Sequence, residues 1–379
     1  MEDKHMLMIP GPTPVPEKVL LAMAQHPIGH RSGDFSKIIA EINQGLKWLH
    51  QTKNEVLSLN VSGTGAMEAG IINFLSPGDR VLVGSNGKFG DRWAQISEAF
   101  GLKVDKITAE WGKPLDTKEF KAKLTADTHK EIKAVIVTHS ETSTGVLNDL
   151  ETINKYVKEH GEALIIVDAV TSLGAYNVPI DEWELDVVGS GSQKGYMIPP
   201  GMGFVAVSDR AWKAYETAKL PRFYMDLGKY KKANAKNSTP FTPPINLMFG
   251  LQTALQMMQR EGLENIFARH ERLTQATRAA AKAMGLKLLA PDDAASTAVT
   301  AVKTDDAEAI RSTMRQKYDI AIAGGQDHLK GKIIRIGHLG FISDRDVMMT
   351  ISCLEATLTE LGHDFEPKSG VKAAAAALV

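Results

Sequence analysis

Short continuous apolar runs alternate with helix-periodic stretches up to about residue 220. The runs at 81–83, 135–138, 164–167, 187–188 and 204–207 show no regular polar face. Between them, residues 67–75, 92–100, 150–159 and 209–218 repeat apolar positions at helical spacing. Strands without a polar face, separated by helices, predict an α/β layer structure whose mostly parallel sheet is covered on both sides. Residues 221–244, rich in Lys, Asn, Thr and Pro, read as a long loop, and two long helices are expected at 247–260 and 263–284. Beyond Gly285, strand-like 286–289, 298–302 and 333–336 alternate with helix-like 307–317 and 344–361, which makes a second, smaller α/β unit. The resulting partition is an N-terminal segment over 1–20, a large domain over 21–262, a small domain over 263–367 and a tail over 368–379. The Pro- and Gly-rich stretch 9–16 is not expected to begin a sheet. The Ala-rich tail reads as a frayed end or a short helical extension.

Composition narrows the function classes. The chain has 379 residues, 43% of them hydrophobic and 23% charged, enough for a sizeable core without staples. Net charge is -1, without the basic excess of a nucleic-acid binder. No apolar run is long enough for a membrane helix. The N-terminus lacks the pattern of a secretory leader. The single cysteine, Cys353, can form no internal disulfide and no multi-thiolate metal site, so no metal is expected and the cytoplasm is the natural compartment.

Three segments carry candidate chemistry. Residues 62–68, Ser-Gly-Thr-Gly-Ala-Met-Glu, follow an apolar run and open a helix, an arrangement in which free backbone N–H groups can cradle a phosphate. Neither the dinucleotide Gly-x-Gly-x-x-Gly nor the nucleotide P-loop spacing is present, which leaves a small phosphate monoester or a plain tight turn. Asp168 ends the buried run 163–167, at the sheet edge where functional groups collect, and its carboxylate needs a cationic or hydrogen-bonding partner. Lys194 lies in Gly189-Ser-Gly-Ser-Gln-Lys-Gly195, where small residues permit close approach and a desolvated lysine can attack an aldehyde. Phosphate cradle, acid and lysine together suggest pyridoxal phosphate.

With those segments the chain resembles the class V aminotransferases, of the fold type I pyridoxal phosphate-dependent transferases, and most of all their alanine–glyoxylate and serine–glyoxylate group. The matching stretches are 9–16, 29–32, 62–68, 138–146, 167–170, 191–195, 240–243 and 335–337, spread over nearly the whole chain. The resemblance implies a large domain with a mostly parallel central sheet plus a smaller C-terminal α/β domain. It implies that Lys194 bonds to the cofactor aldehyde and moves the α-proton, while Asp168 keeps the pyridine nitrogen protonated. Thr64, Gly65 and Ala66 would contact the phosphate, with Gln193 nearby, and Thr142 would serve the ring hydroxyl. Phe89 stands where many relatives carry Trp and would stack on the ring. Arg335, and beside it Gly11, would receive the substrate, the guanidinium gripping a carboxylate. Thr239 and Thr242 would reach across a homodimer to the partner's phosphate, so that active sites are shared.

The activity so implied is a two-stage transfer of an amino group from alanine or serine to glyoxylate or a similar 2-oxo acid. Alternatives are an aminotransferase for aspartate or of broad specificity, for which Arg31 could bind a distal carboxylate, and a non-catalytic subunit of the kind labelled soluble hydrogenase subunit. A cysteine desulfurase is disfavoured because Cys353 falls inside the helix expected at 344–361.

Overall fold

The computed structural model describes residues 5–379. Its centre is a seven-stranded sheet in the order Val56–Leu59, Gly203–Val207, Val187–Gly191, Leu164–Asp168, Ile132–Thr138, Arg80–Ser85, Lys103–Thr108. Gly203–Val207 runs antiparallel to both its neighbours and the other strands run one way. The strands are covered on both faces, as their apolar sequences require. Along Ile132–Thr138, Val135 and Val137 pack into one apolar cluster while Ala134 and Ile136 pack into the other. Ile165 and Val167 divide from Leu164 and Ile166 in the same way. Each such fully buried branched side chain contributes on the order of 2 kcal/mol of transfer free energy. This is the large-domain architecture that the resemblance implies, a mostly parallel central sheet.

A second sheet has five strands, ordered Met6–Met8, Ile320–Gly324, Ile333–Gly337, Val299–Lys303, Lys287–Leu288. Helices Leu263–Ala283, Ala307–Tyr318 and Asp344–Glu360 pack on it around Leu273, Ile310, Ile334, Ile351 and Leu354. Its first strand comes from the chain's own start: Met6–Met8 pairs in parallel with Ile320–Ile322. The following residues then cross to the large sheet, where Thr13 N–H donates to the Gln193 carbonyl at 3.1 Å.

Three features depart from the sequence reading. The stretch 221–244 is not all loop, since Leu227–Asn234 is helical, started by the Asp226 carboxylate accepting from Gly228 N–H and anchored by buried Leu227 and Tyr230. Lys103–Thr108 is an edge strand whose Lys-x-Asp-Lys pattern hides it from a search for apolar runs. Ile320–Gly324 begins right after a left-handed Asp319 and is only half covered. The tail takes the second of its two expected forms, a short helix, Ser369–Ala377, and it is docked, with Ala374 fully buried in the small core and Gly370 against Met284.

Candidate active site

Because the strands that matter run one way, their carboxyl ends share one edge of the large sheet, and the loops leaving that edge form a cleft. Val56–Leu59 leads to Ser62, Gly63 and Thr64. Arg80–Ser85 leads to Phe89, Ile132–Thr138 to Ser140 and Thr142, Leu164–Asp168 ends on Asp168, and Val187–Gly191 leads to Gln193 and Lys194. All of these residues line the cleft, together with Met67, Arg92, Val170 and Thr171.

Asp168 is buried, and one oxygen accepts from Val170 N–H at 2.9 Å. Burial dominates and pushes its pKa up to about 6, against the pull of Val170 N–H, Lys194 and Arg92. Lys194 Nζ donates to the Pro10 carbonyl at 2.7 Å. Burial brings its pKa down to about 8, assisted by Arg335 and Arg92 and opposed by Asp168. Gly11 permits this pose: with φ at +132° it presses its backbone on the lysine, and a Cβ there would sit 2.3 Å from Nζ.

Helix Gly63–Ile72 starts at the cleft without a side-chain cap from Ser62, so its first N–H groups lack a side-chain acceptor. Thr64 Oγ1 accepts from Arg92 at 3.2 Å, and the Arg92 guanidinium lies 4.8 Å over the Phe89 ring. Gly65 has Val61 where a side chain would go, at 2.6 Å. Ala66 is buried and its N–H is taken by the Ser62 carbonyl at 3.1 Å. Gln193 Oε1 is buried with no partner.

Arg335, 7% exposed on the middle strand of the small sheet, stands beside the cleft and is occupied with backbone. Nε donates to the Gly324 carbonyl and Nη1 to the Thr142 carbonyl, both at 2.8 Å. Burial lowers its pKa to about 10. Thr239 and Thr242 are elsewhere. They line a separate indentation with Tyr230, Phe241 and Met248, and Thr239 Oγ1 donates to the Phe241 carbonyl at 2.7 Å. Arg31 belongs to that side too, donating to Ser238 Oγ at 2.8 Å and to the Thr239 carbonyl.

Sequence reasoning assigned no role to Arg92, Ser140, Thr171 or Glu141. Arg92 was within reach, because it follows Phe89 by one helical turn and so shares its face. Glu141 gave no such signal, since two of its donors come from the start of a helix some fifty residues away in the chain.

The residues of the cleft suit a phosphorylated pyridine aldehyde on this structure's own terms: an acid lacking a cation, an amine with depressed pKa, an orphaned amide oxygen and an uncapped helix start. The comparisons agree on class. A family model for class-V aminotransferases matches residues 6–338, and the chain belongs to that family. A solved alanine–glyoxylate aminotransferase from Nostoc superposes with a TM-score of 0.89 at 31% identity, over 94% of this chain and 96% of that one.

Within the family, two relatives are much nearer. The soluble hydrogenase 42 kDa subunit of Anabaena cylindrica is 68% identical over 99% of both chains. The soluble hydrogenase small subunit of a Synechococcus strain is 67% identical over 100% of this chain and 99% of that one. These identities overturn the expected alanine–glyoxylate or serine–glyoxylate aminotransferase activity. The Nostoc aminotransferase shares under half as much sequence with this chain as the two with subunit names do. The backbone and cofactor cleft are family-wide properties and do not carry that finer assignment.

Proposed function

We propose that this chain is a soluble hydrogenase subunit built on a pyridoxal phosphate-binding fold, and that its role in the assembly is not catalytic. The observation that carries the reading is the end-to-end identity of 68% and 67% with two proteins of that name. The sequence agrees with a subunit that brings no thiolate cluster, as Cys353 is its one cysteine and lies half-buried in helix Asp344–Glu360. Among the described residues no three His, Cys, Asp or Glu side chains are grouped to hold a metal ion, and no helix is long and apolar enough to cross a membrane.

In this reading the cleft holds pyridoxal phosphate as a bound group. Lys194 would attach it, Asp168 would serve its ring nitrogen, Phe89 would offer a flat apolar face, and Thr64 with the start of helix Gly63–Ile72 would receive the phosphate. Thr142 and Gln193 supply polar contacts at the rim. Bound there, the cofactor would supply an electrophilic aldehyde and an electron-accepting ring. The chain's own contribution is to hold the Lys194 amine against the Pro10 carbonyl and to present buried Asp168, whose carboxylate a cationic ring nitrogen would neutralise.

The test has two arms. Borohydride treatment of the purified, cofactor-loaded chain is expected to leave a pyridoxyl label on the peptide containing Lys194. The same loaded chain is expected to show no sustained amino-group transfer between small amino acids and glyoxylate. Steady turnover would overturn the non-catalytic role, and a missing label would overturn the cofactor assignment.

A further inference from the structure

Helix Lys88–Ala99 carries Phe89 and Arg92 into the cleft, yet it begins at Gly87, which has no side chain to cap it. Its first N–H groups find acceptors on another loop. Lys88 N–H donates to Ser143 Oγ at 3.0 Å. Phe89 N–H and Gly90 N–H both donate to Glu141 Oε2, at 2.9 and 3.1 Å. The other oxygen, Oε1, accepts from Ser143 N–H at 3.1 Å and from Ser143 Oγ–H at 2.5 Å. Glu141 is fully buried. Three of its four donors are backbone N–H groups, which cannot accept, so the site is built for a carboxylate. A helix start also favours negative charge. Gly87 leaves the necessary room: a Cβ there would lie 2.3 Å from Glu141 Cγ and Cδ and 2.5 Å from Ser143 Oγ.

Glu141 sits between two parts of the cleft. On one side it fixes the backbone of Phe89 and, one turn on, Arg92. On the other it is joined to Thr142, whose carbonyl receives Arg335 from the small sheet. We propose that Glu141 is a positioning residue, a helix cap supplied from the 140–143 loop that sets the Phe89 ring against the cofactor's place. This rests on the reading that pyridoxal phosphate occupies the cleft. A glutamine would not replace it, because only one end of an amide accepts, and its NH2 would face a backbone N–H.

The experiment compares Glu141→Gln and Gly87→Ala with the unaltered chain. At Gly87, φ is 176°, ordinary extended backbone, so alanine acts by displacing the carboxylate and the Ser143 hydroxyl bound to it. In cofactor-free protein, amide exchange at residues 88–90 is expected to accelerate about tenfold in both variants, more than any accompanying fall in melting temperature accounts for. Titrated with pyridoxal 5'-phosphate, both are expected to bind about tenfold more weakly. The visible circular dichroism of the bound cofactor should shrink as the ring loses its fixed neighbour. Should Glu141→Gln fail to fold, Gly87→Ala decides alone. Unchanged protection at 88–90, or lost protection with unaltered affinity and dichroism, overturns the positioning role. Failure of the unaltered chain to take up pyridoxal phosphate overturns the proposed function instead, and the exchange result still decides the cap.

Discussion

Asp168 and Lys194, which leave adjacent strands at one sheet edge, pull on each other's protonation, and burial sets both. The Asp168 carboxyl, raised from 3.8 to about 6, keeps a proton that the unfolded chain gives up between those values. Native stability therefore falls as pH rises through that window, and the full cost is present above about pH 6. Asp168→Asn is expected to stabilise the cofactor-free protein at pH 7 by about 2–3 kcal/mol and to change nothing near pH 3.5. Denaturant unfolding at the two pH values measures this; an equal effect at both would contradict it. The Lys194 amine, brought down to about 8, predicts that uptake of pyridoxal phosphate accelerates with pH and levels off above about pH 8. Stopped-flow absorbance reads that midpoint, and one near the ordinary lysine value of 10.5 would contradict the burial argument. Both residues were legible in the sequence because each ends or follows a buried apolar run, and chemistry collects at the carboxyl edge of a parallel sheet. Glu141 was not legible. Nothing local to residues 138–146 says that its carboxylate will cap a helix starting at Lys88.

Periodicity found the elements whose burial is one-sided or complete and missed those at the margins. Leu164–Asp168 and Val187–Gly191 are buried along their whole length and read as plain apolar runs. Lys103–Thr108 alternates charge with apolar residues because it is an edge, and Met6–Met8 is too short for any pattern. The helix Leu227–Asn234 was masked by its lysines, which face outward over aromatic rings; Lys231 lies 4.2 Å above Trp212. The tail is the short helical extension that the sequence allowed, and only its docking was not legible. Ala repeats carry no amphipathic signal, yet small side chains allow the close packing seen at Ala374 and Gly370. Ala374→Asp is expected to undock this helix, lowering stability by roughly 3 kcal/mol and opening residues 369–379 to proteolysis. An unaltered melting temperature with an intact tail would show that the docking contributes little.

The two sheets are tied together around the cleft. Arg335 reaches from the small sheet to the Thr142 carbonyl, Lys88 pairs with Asp327 at 2.9 Å, and the chain's start pairs with the small sheet before passing Lys194. Such ties hold the two sheets against the cleft and do not separate a transaminase from a subunit. The resemblance legible in the motifs identified the fold and the cofactor class, while the finer activity lay in similarity spread over the whole chain. The most direct measurement is hydrogen-linked dye reduction on material recovered with the tagged full-length chain from cells that naturally make it. The account predicts that hydrogen activity co-elutes with the chain in an assembly larger than a 41.2 kDa protomer or its dimer, and that the chain alone has none. Recovery of the chain only with copies of itself, without hydrogen activity and turning over amino acids with a 2-oxo acid, would contradict it.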